Sequence, residues 1–187
     1  MANAREILSR MKSVQDTRKI TNAMYLISST KLKKSKKLLE ETEPYFYTLQ
    51  DLIRRILRHM PDVEHFYFNP RSEIKGADRT KGLIVITGDK GLAGAYNHNV
   101  LKMAQEWMEQ GDNHRLYVVG ELGRHYFASK HIPVEEQFHY TVQNPTMHRA
   151  RLISSTVLED YEQGQLDEVW ILYTQMINSM KMEAEIV

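Results

Sequence analysis

The sequence predicts an α/β protein built from a long N-terminal helix and a mostly parallel sheet domain. Three observations predict it. All nine glycines fall at or after Gly76, and the first 60 residues hold a single proline, Pro44. From Lys81 onward, short apolar β-branched runs alternate with segments of helical periodicity. Charge divides at the same place. Residues 1–60 carry 13 basic and 6 acidic side chains, a net of +7, whereas residues 61–187 carry 12 and 18, a net of −6. The total of +1 over 187 residues conceals two blocks of opposite sign.

The first block reads as helix because it lacks glycine and is rich in Lys, Arg, Leu, Met, Ala and Glu. Ile7, Met11 and Val14 recur at spacings of four and three, Ile20, Met24 and Ile27 repeat the pattern, and Phe46, Leu49, Ile53 and Ile56 continue it. The expectation is one apolar stripe on a polar rod. Nearly sixty helical residues at about 1.5 Å each reach on the order of 80 Å, more than any small domain spans. Pro44 removes one backbone donor, so the helix is expected to be kinked near Glu43-Pro44, or broken there into two helices joined by a turn. The run should end near Met60-Pro61.

Residues 61–80 hold two prolines and the first glycine and read as a linker between the helix, 1–60, and an α/β domain, 81–187. In that domain Gly82-Leu83-Ile84-Val85-Ile86-Thr87 is the pattern of a buried parallel strand. A helix over Asn97–Glu109, a strand over Leu116–Val119 and a helix over Leu122–Ser129 follow. Ile132-Pro133-Val134 is expected to form a short strand. Thr146–Gln163 should be helical with Ile153, Val157, Leu158 and Tyr161 on one side. Val169–Tyr173 and Met182–Val187 complete the strands. The alternation predicts a Rossmann-like domain.

Composition and spacing exclude several chemistries. No cysteine is present, so disulfide frameworks, thiolate metal sites and cysteine nucleophiles are ruled out. The eight histidines form no H-E-x-x-H pair or other compact ligand spacing. No G-x-S-x-G elbow occurs, and carboxylate pairs such as Glu135-Glu136 are adjacent, so their side chains diverge. No catalytic residue, metal site or cofactor is expected. The longest apolar run, Leu83–Ile86, is far short of a bilayer span, and Met1–Arg10 contains no signal-peptide core.

The turn Thr87-Gly88-Asp89-Lys90-Gly91-Leu92-Ala93-Gly94-Ala95-Tyr96-Asn97 joins a strand to a helix, the setting in which backbone amides cradle phosphate. Its spacing fits neither known fingerprint. Gly88, Gly91 and Gly94 are three apart, and no Lys-Ser or Lys-Thr follows them. Asp89 also places a negative charge beside any phosphate. A structural role for Gly88, Asp89, Gly91 and Gly94 is expected.

The basic helix is the remaining candidate. Residues 1–39 carry 10 basic and 2 acidic side chains, a net of +8. Lys31, Lys33, Lys34, Lys36 and Lys37 point in several directions at about 100° per residue. Such a collar suits a surrounding acidic protein surface better than a flat membrane. Nucleic acid is not the expected partner, because no reading module or stacking surface accompanies the charge.

These residues carry a resemblance. Arg5-Glu6-Ile7, the segment Ser13-Val14-Gln15-Asp16-Thr17-Arg18-Lys19-Ile20-Thr21-Asn22-Ala23-Met24, and Lys31-Leu32 are similar to the first helix of the gamma subunit family of F-type ATP synthases. The glycine-rich turn resembles that family's T-S-D-[RK]-G-L-[CA]-G-[GA]-[FY]-N, with Gly88 in place of the usual Ser. Pro44-Tyr45 and Val169–Tyr173 followed by Thr174-Gln175-Met176-Ile177-Asn178 also fit. The resemblance implies a non-catalytic central rotor shaft that couples rotation of the c-subunit ring to the alpha and beta catalytic head, with the epsilon subunit as a further partner. It implies a peripheral place at the cytoplasmic face of a bacterial membrane. Ile20, Met24, Lys31, Lys33 and Lys34 would then meet the beta subunits and bearing, and Ile7, Met11, Val14 and Ile27 would form the coiled-coil face. Family members continue into a long C-terminal helix, whereas this chain stops at Val187. A truncated form is therefore expected, unable to transmit torque alone. Its first helix should be covered by a second copy, fold back, or be poorly ordered. The alternative is a stand-alone α/β nucleotide-binding protein with a helical arm.

Overall fold

The computed structural model describes residues 2–60, 65, 67, 71, 74, 78–111, 113–178 and 180–187. The chain divides into two units, Met1–Glu64 and His65–Val187. Most of the expected linker, 61–80, lies outside the described residues.

The first unit is one helix, α1 (Ala2–His59), which passes through Pro44 without interruption. The expectation of a break at Pro44 is corrected. Proline deletes a single hydrogen bond, while the uninterrupted ladder of good helix formers on either side holds the geometry. The five threonines, Thr17, Thr21, Thr30, Thr42 and Thr48, each donate a hydroxyl to the carbonyl four residues back. Their polar groups are thereby satisfied within the helix. The helix does not fold back on itself, and its large apolar side chains are exposed.

The second unit carries a four-stranded sheet in the order β2-β1-β3-β4, formed by β1 (Lys81–Ile86), β2 (His114–Val119), β3 (Glu168–Met176) and β4 (Met182–Ile186). The first three strands are parallel, and β4 is antiparallel to β3. Helices α2 (Tyr96–Met108), α3 (Glu121–Ser129) and α4 (Met147–Glu162) complete it. Because side chains alternate across a strand, β1 supplies both cores. Leu83 and Val85 pack with Val100, Leu101 and Ala104 of α2 and Phe127 of α3. Ile84 packs on the opposite face with Tyr117, Phe138, Val157 and Leu166. On α4, Ile153, Val157 and Tyr161 join this second core, but Leu158 does not and is exposed. Leu158 follows Val157 by one residue, about 100° around the helix.

Ile132-Pro133-Val134 forms no strand, which corrects the second expectation. Ile132 is consumed in ending α3. His131 takes a left-handed φ of 57°, and its N–H bonds the Ala128 carbonyl at 3.1 Å while the Ile132 N–H bonds that of Phe127 at 3.0 Å. These are the paired bonds of a Schellman motif, and Pro133 then brings no donor. The chain reaches the β2 edge afterwards instead. The Glu135 N–H bonds the Leu116 carbonyl at 2.8 Å, and Tyr140 bridges Val119. Helix α4 starts at an N-cap, Thr146, whose side chain accepts from the Arg149 N–H. It ends at Gly164, in a left-handed φ of 74°.

Asp167 and Glu168 tie the sheet to the chain ahead of it. Asp167 forms a largely buried ion pair with Arg71 at 2.8 Å, and Glu168 pairs with Arg79 at 2.6 Å. Burial on its own raises the Asp167 carboxyl, but the Thr80 N–H and the Arg71 guanidinium outweigh it and hold it below the ordinary range. Glu168 is lowered chiefly by the Arg79 hydrogen bond. A depressed folded pKa gives stability that is fully present above the unfolded value, about 4, and is lost as pH falls through the folded value. The melting temperature of the second unit should therefore hold from neutrality to about pH 5 and fall steeply below about pH 4. A flat profile to about pH 3 would contradict this role for the two pairs.

Candidate functional site

Two features of the sequence invite a function, the basic helix and the glycine-rich turn. On α1, Ile7, Met11, Val14, Ile20, Met24 and Ile27 are all exposed. The uninterrupted helix sorts them into two groups. At about 100° per residue, Ile7, Met11 and Val14 share one face, whereas Ile20, Met24 and Ile27 share another about 140° away. The six-residue step from Val14 to Ile20 displaces them. Ile27 therefore does not share a straight face with Ile7, Met11 and Val14, and the single stripe becomes two patches.

The second patch runs on into charge. Lys31 and Lys34 follow Ile20, Met24 and Ile27 along the same face, at spacings of three and four, while Lys33 points to the far side. All three lysines are exposed. The ion pairs along α1 are Arg10–Glu6, Lys19–Asp16, Lys37–Glu41 and Arg54–Asp51. Among the described residues, Lys31, Lys33 and Lys34 have no such partner. This end of the patch thus presents exposed apolar side chains beside uncompensated positive charge, chemistry suited to an acidic, partly apolar protein surface.

The glycine-rich turn is occupied by the chain itself. The first N–H groups of a helix lack partners within the helix, and those of α3 are met from this turn. Asp89 Oδ1 accepts from the Glu121 N–H at 3.3 Å, the Gly88 carbonyl from Leu122 at 3.1 Å, and Thr87 Oγ1 from Gly123 at 3.0 Å. Asp89 Oδ1 also accepts from the Val142 N–H. The Gly88 N–H is held by Asn97 Oδ1 at 2.7 Å. A phosphate at the start of α3 would have to displace a carboxylate, a carbonyl and a hydroxyl, and would meet like charge from Asp89. Gly91 and Gly94 lie farther along in open surroundings, Gly94 with a φ of 57°. Leu92, between them, is 94% exposed at a φ of 61°.

Sequence reasoning did not foresee the capping role of Thr87 or the anchoring by Arg71. An N-cap is sought just before its own helix, whereas Thr87 and Asp89 cap α3 from more than thirty residues away. Arg71 was one cation in a segment without periodicity. The signal that was available for the turn was its polar Thr-x-Asp at the end of a buried strand. Among the described residues, no group of three or more His, Cys, Asp or Glu side chains is placed to hold a metal ion. No helix among them is long and apolar enough to cross a membrane.

Fold and surface together define a helix-armed α/β protein whose exposed arm presents the groups suited to binding a partner. A family model described as ATP synthase matches residues 3–187, and the chain belongs to that family. It is 43% identical to the ATP synthase gamma chain of Acetivibrio thermocellus, over 100% of this chain and 63% of that protein. Against the ATP synthase gamma chain of Ruminiclostridium cellulolyticum it is 46% identical, over 98% of this chain and 62% of that one. The chain thus spans a little over 60% of the length of these relatives. Its fold is similar to a chain in the central stalk and c-ring structure of the Tetrahymena thermophila mitochondrial ATP synthase. The TM-score is 0.54 at 19% identity, over 72% of this chain and 57% of that one.

Proposed function

We propose that this chain acts as the central rotor (gamma) subunit of an F-type ATP synthase, a non-catalytic part that couples turning of the c-subunit ring to conformational change in the alpha and beta catalytic head. The observation that carries this reading is identity of 43% and 46% to gamma chains across nearly all of this sequence, the basic helix included. The proposed division is a shaft over 1–60, a linker over 61–80 and an α/β body over 81–187. The partners are the alpha and beta subunits around the shaft and the epsilon subunit and c ring at the body. The complex places the chain at the cytoplasmic face of a bacterial membrane, peripherally.

On this reading Ile20, Met24, Lys31, Lys33 and Lys34 contact the head, and the patch of Ile7, Met11 and Val14 packs in a coiled coil. The internal capping of α3 by Thr87, Gly88 and Asp89 supports a structural turn over a nucleotide site. The test is replacement of Lys31, Lys33 and Lys34 by Gln in the assembled complex. Three lost interfacial charge contacts at about 0.5–1 kcal/mol each should lower hydrolysis-driven ion pumping about tenfold or more. The melting temperature of the chain should not move, because these side chains have no ion-pair partner among the described residues. Unchanged pumping would overturn the assignment of the lysines.

A further inference from the structure

Counted from Ile7 in alternating steps of four and three, the residues of α1 trace a seam of fifteen positions that ends at Ile56. A mean spacing of about 3.5 residues is that of a left-handed coiled coil, drifting about 20° per heptad around a straight helix. The seam takes in Ile7, Met11 and Val14 and later Phe46, Leu49, Ile53 and Ile56, and leaves Ile20 and Ile27 outside. Arg18 is the one charged residue on it, and its large apolar side chains are exposed.

In the middle of the seam the two alternating positions differ in size. One set is Thr21, Ser28, Ser35 and Thr42, and the other is Tyr25, Leu32, Leu39 and Phe46. The hydroxyls of Thr21 and Thr42 donate within α1, to the Thr17 and Leu38 carbonyls at 2.8 and 2.7 Å. Both threonines therefore enter an apolar contact with their polar groups already satisfied.

This order decides what fits. In two parallel copies in register, small residues would meet small and large would meet large, leaving gaps beside overfilled layers. Lys31 would also border Lys36 of the second copy on both flanks. Antiparallel copies centred between Lys33 and Lys34 reverse this. Thr21 then faces Phe46 of the second copy, Ser28 faces Leu39, Ser35 faces Leu32 and Thr42 faces Tyr25. The same centre sets Val14 against Ile53 and Met11 against Ile56, and on the flanks Leu8 against Leu57 and Met24 against Tyr45. Arg18 falls opposite Leu49, where its stem packs and its head reaches solvent. Lys31 lies beside Leu38 and Lys36 beside Ser29, while Lys33, Lys34 and Lys37 point away from the seam. Opposed helix dipoles favour the same arrangement.

We infer that two copies of this chain pair through α1 as an antiparallel left-handed coiled coil centred between Lys33 and Lys34. Seam and flanks together engage about 30 residues of each copy, as many as a standard protein–protein interface. The inference rests on the coiled-coil role given to Ile7, Met11 and Val14 and not on the rotor assignment, which pumping by the assembled complex reads separately.

Sedimentation equilibrium of the 187-residue chain should show a species of twice 21.9 kDa. Lysines of both copies crowd the centre, so raising salt from about 0.05 to about 0.5 M should tighten the dimer about tenfold. Attraction to an acidic partner would weaken instead. The chain has no cysteine, so introduced thiols report the register. Ser28→Cys mixed with Leu39→Cys should form a disulfide-linked pair on oxidation. Neither variant alone should do so, because like positions then lie about 16 Å apart along the axis, beyond disulfide reach. Leu39→Lys should raise the dissociation constant at least about a hundredfold, and Ile27→Lys, off the seam, less than about threefold. A chain that stays monomeric at about 100 µM in high salt, leaving the seam to a helix of another protein, would overturn the inference. So would a dimer that lacks the mixed cross-link, one in which either single-cysteine variant links to itself, or one that tolerates Leu39→Lys.

Discussion

Gly120→Ala is expected to destabilise the second unit by about 3–5 kcal/mol, a large part of the stability of a typical domain. Gly120 joins β2 to α3 at a φ of 102°, which side chains other than hydrogen rarely allow. A Cβ there would stand 2.3 Å from the Thr87 carbonyl oxygen and 2.7 Å from its hydroxyl. Neither atom can retreat. The Thr87 hydroxyl donates to the Val119 carbonyl and accepts from the Gly123 N–H, and Thr87 itself is fully buried. The methyl group would therefore separate the strand end from the helix it caps. Gly91→Ala is the matched control, because nothing lies within 4 Å of its Cβ position and its φ is not left-handed. Urea unfolding of the two variants gives the comparison. A Gly120→Ala change no larger than that of Gly91→Ala would refute the close approach of β1 and α3.

Phe138→Ala should cost about 3–5 kcal/mol, as much as loss of a large residue from a regular core element. Phe138 is fully buried although it belongs to neither strand nor helix. Its ring meets Tyr117 edge to face at a centroid distance of 5.3 Å and Tyr140 at 4.8 Å. The Arg124 guanidinium donates to its carbonyl at 2.7 Å, fixing the backbone from which the ring projects. Truncation would leave a cavity between β2 and α4 that a hydrogen-bonded loop and a sheet cannot easily collapse to fill. Phe138→Leu keeps most of the volume and should cost about 1 kcal/mol. The measurement is the urea midpoint at constant slope. A shift equivalent to less than about 1 kcal/mol for Phe138→Ala would show that the loop is not part of the core.

Much of the fold was legible because its signals are local. Leu83 to Ile86 is apolar on both faces, and such a run serves only a strand covered on both sides. Residues Asn97, Val100, Leu101 and Ala104, the buried positions of α2, repeat at helical spacing. The region around Ile132 was misread because a β-branched pair around a proline looks like an edge strand. What decided it was the end of α3, where Ile132 supplies a capping bond to Phe127. At Pro44 only the alternative of two separate helices fails, since its single missing donor is small beside the helix on either side of it.

The candidate site divides along the same line. That α1 is basic, long and studded with apolar residues was visible from residue types and spacing, which were read as one stripe. That its apolar residues face two directions follows from counting bearings along one axis, since the six-residue step from Val14 to Ile20 breaks the three-and-four spacing. The glycine-rich turn was judged unsuited to phosphate from its spacing and from the charge of Asp89. The structure supplies the physical cause, which is that Thr87, Gly88 and Asp89 already satisfy the amides of α3.

The amino-acid order by itself determined the class of the protein, the long helix, the alternation of strands and helices, and the separation of positive from negative charge. These depend on neighbours within about one turn or one strand, so they survive without any knowledge of the fold. Tertiary structure alone decided what Thr87 caps, why Gly120 has no room for a side chain, where Phe138 is buried, and that Arg71 fastens the chain ahead of the sheet to Asp167. Each of those joins buried or bonded partners some 19 to 96 positions apart. Their energies come from burial and from partners brought together by the sheet, and no pattern in the separate segments encodes that meeting.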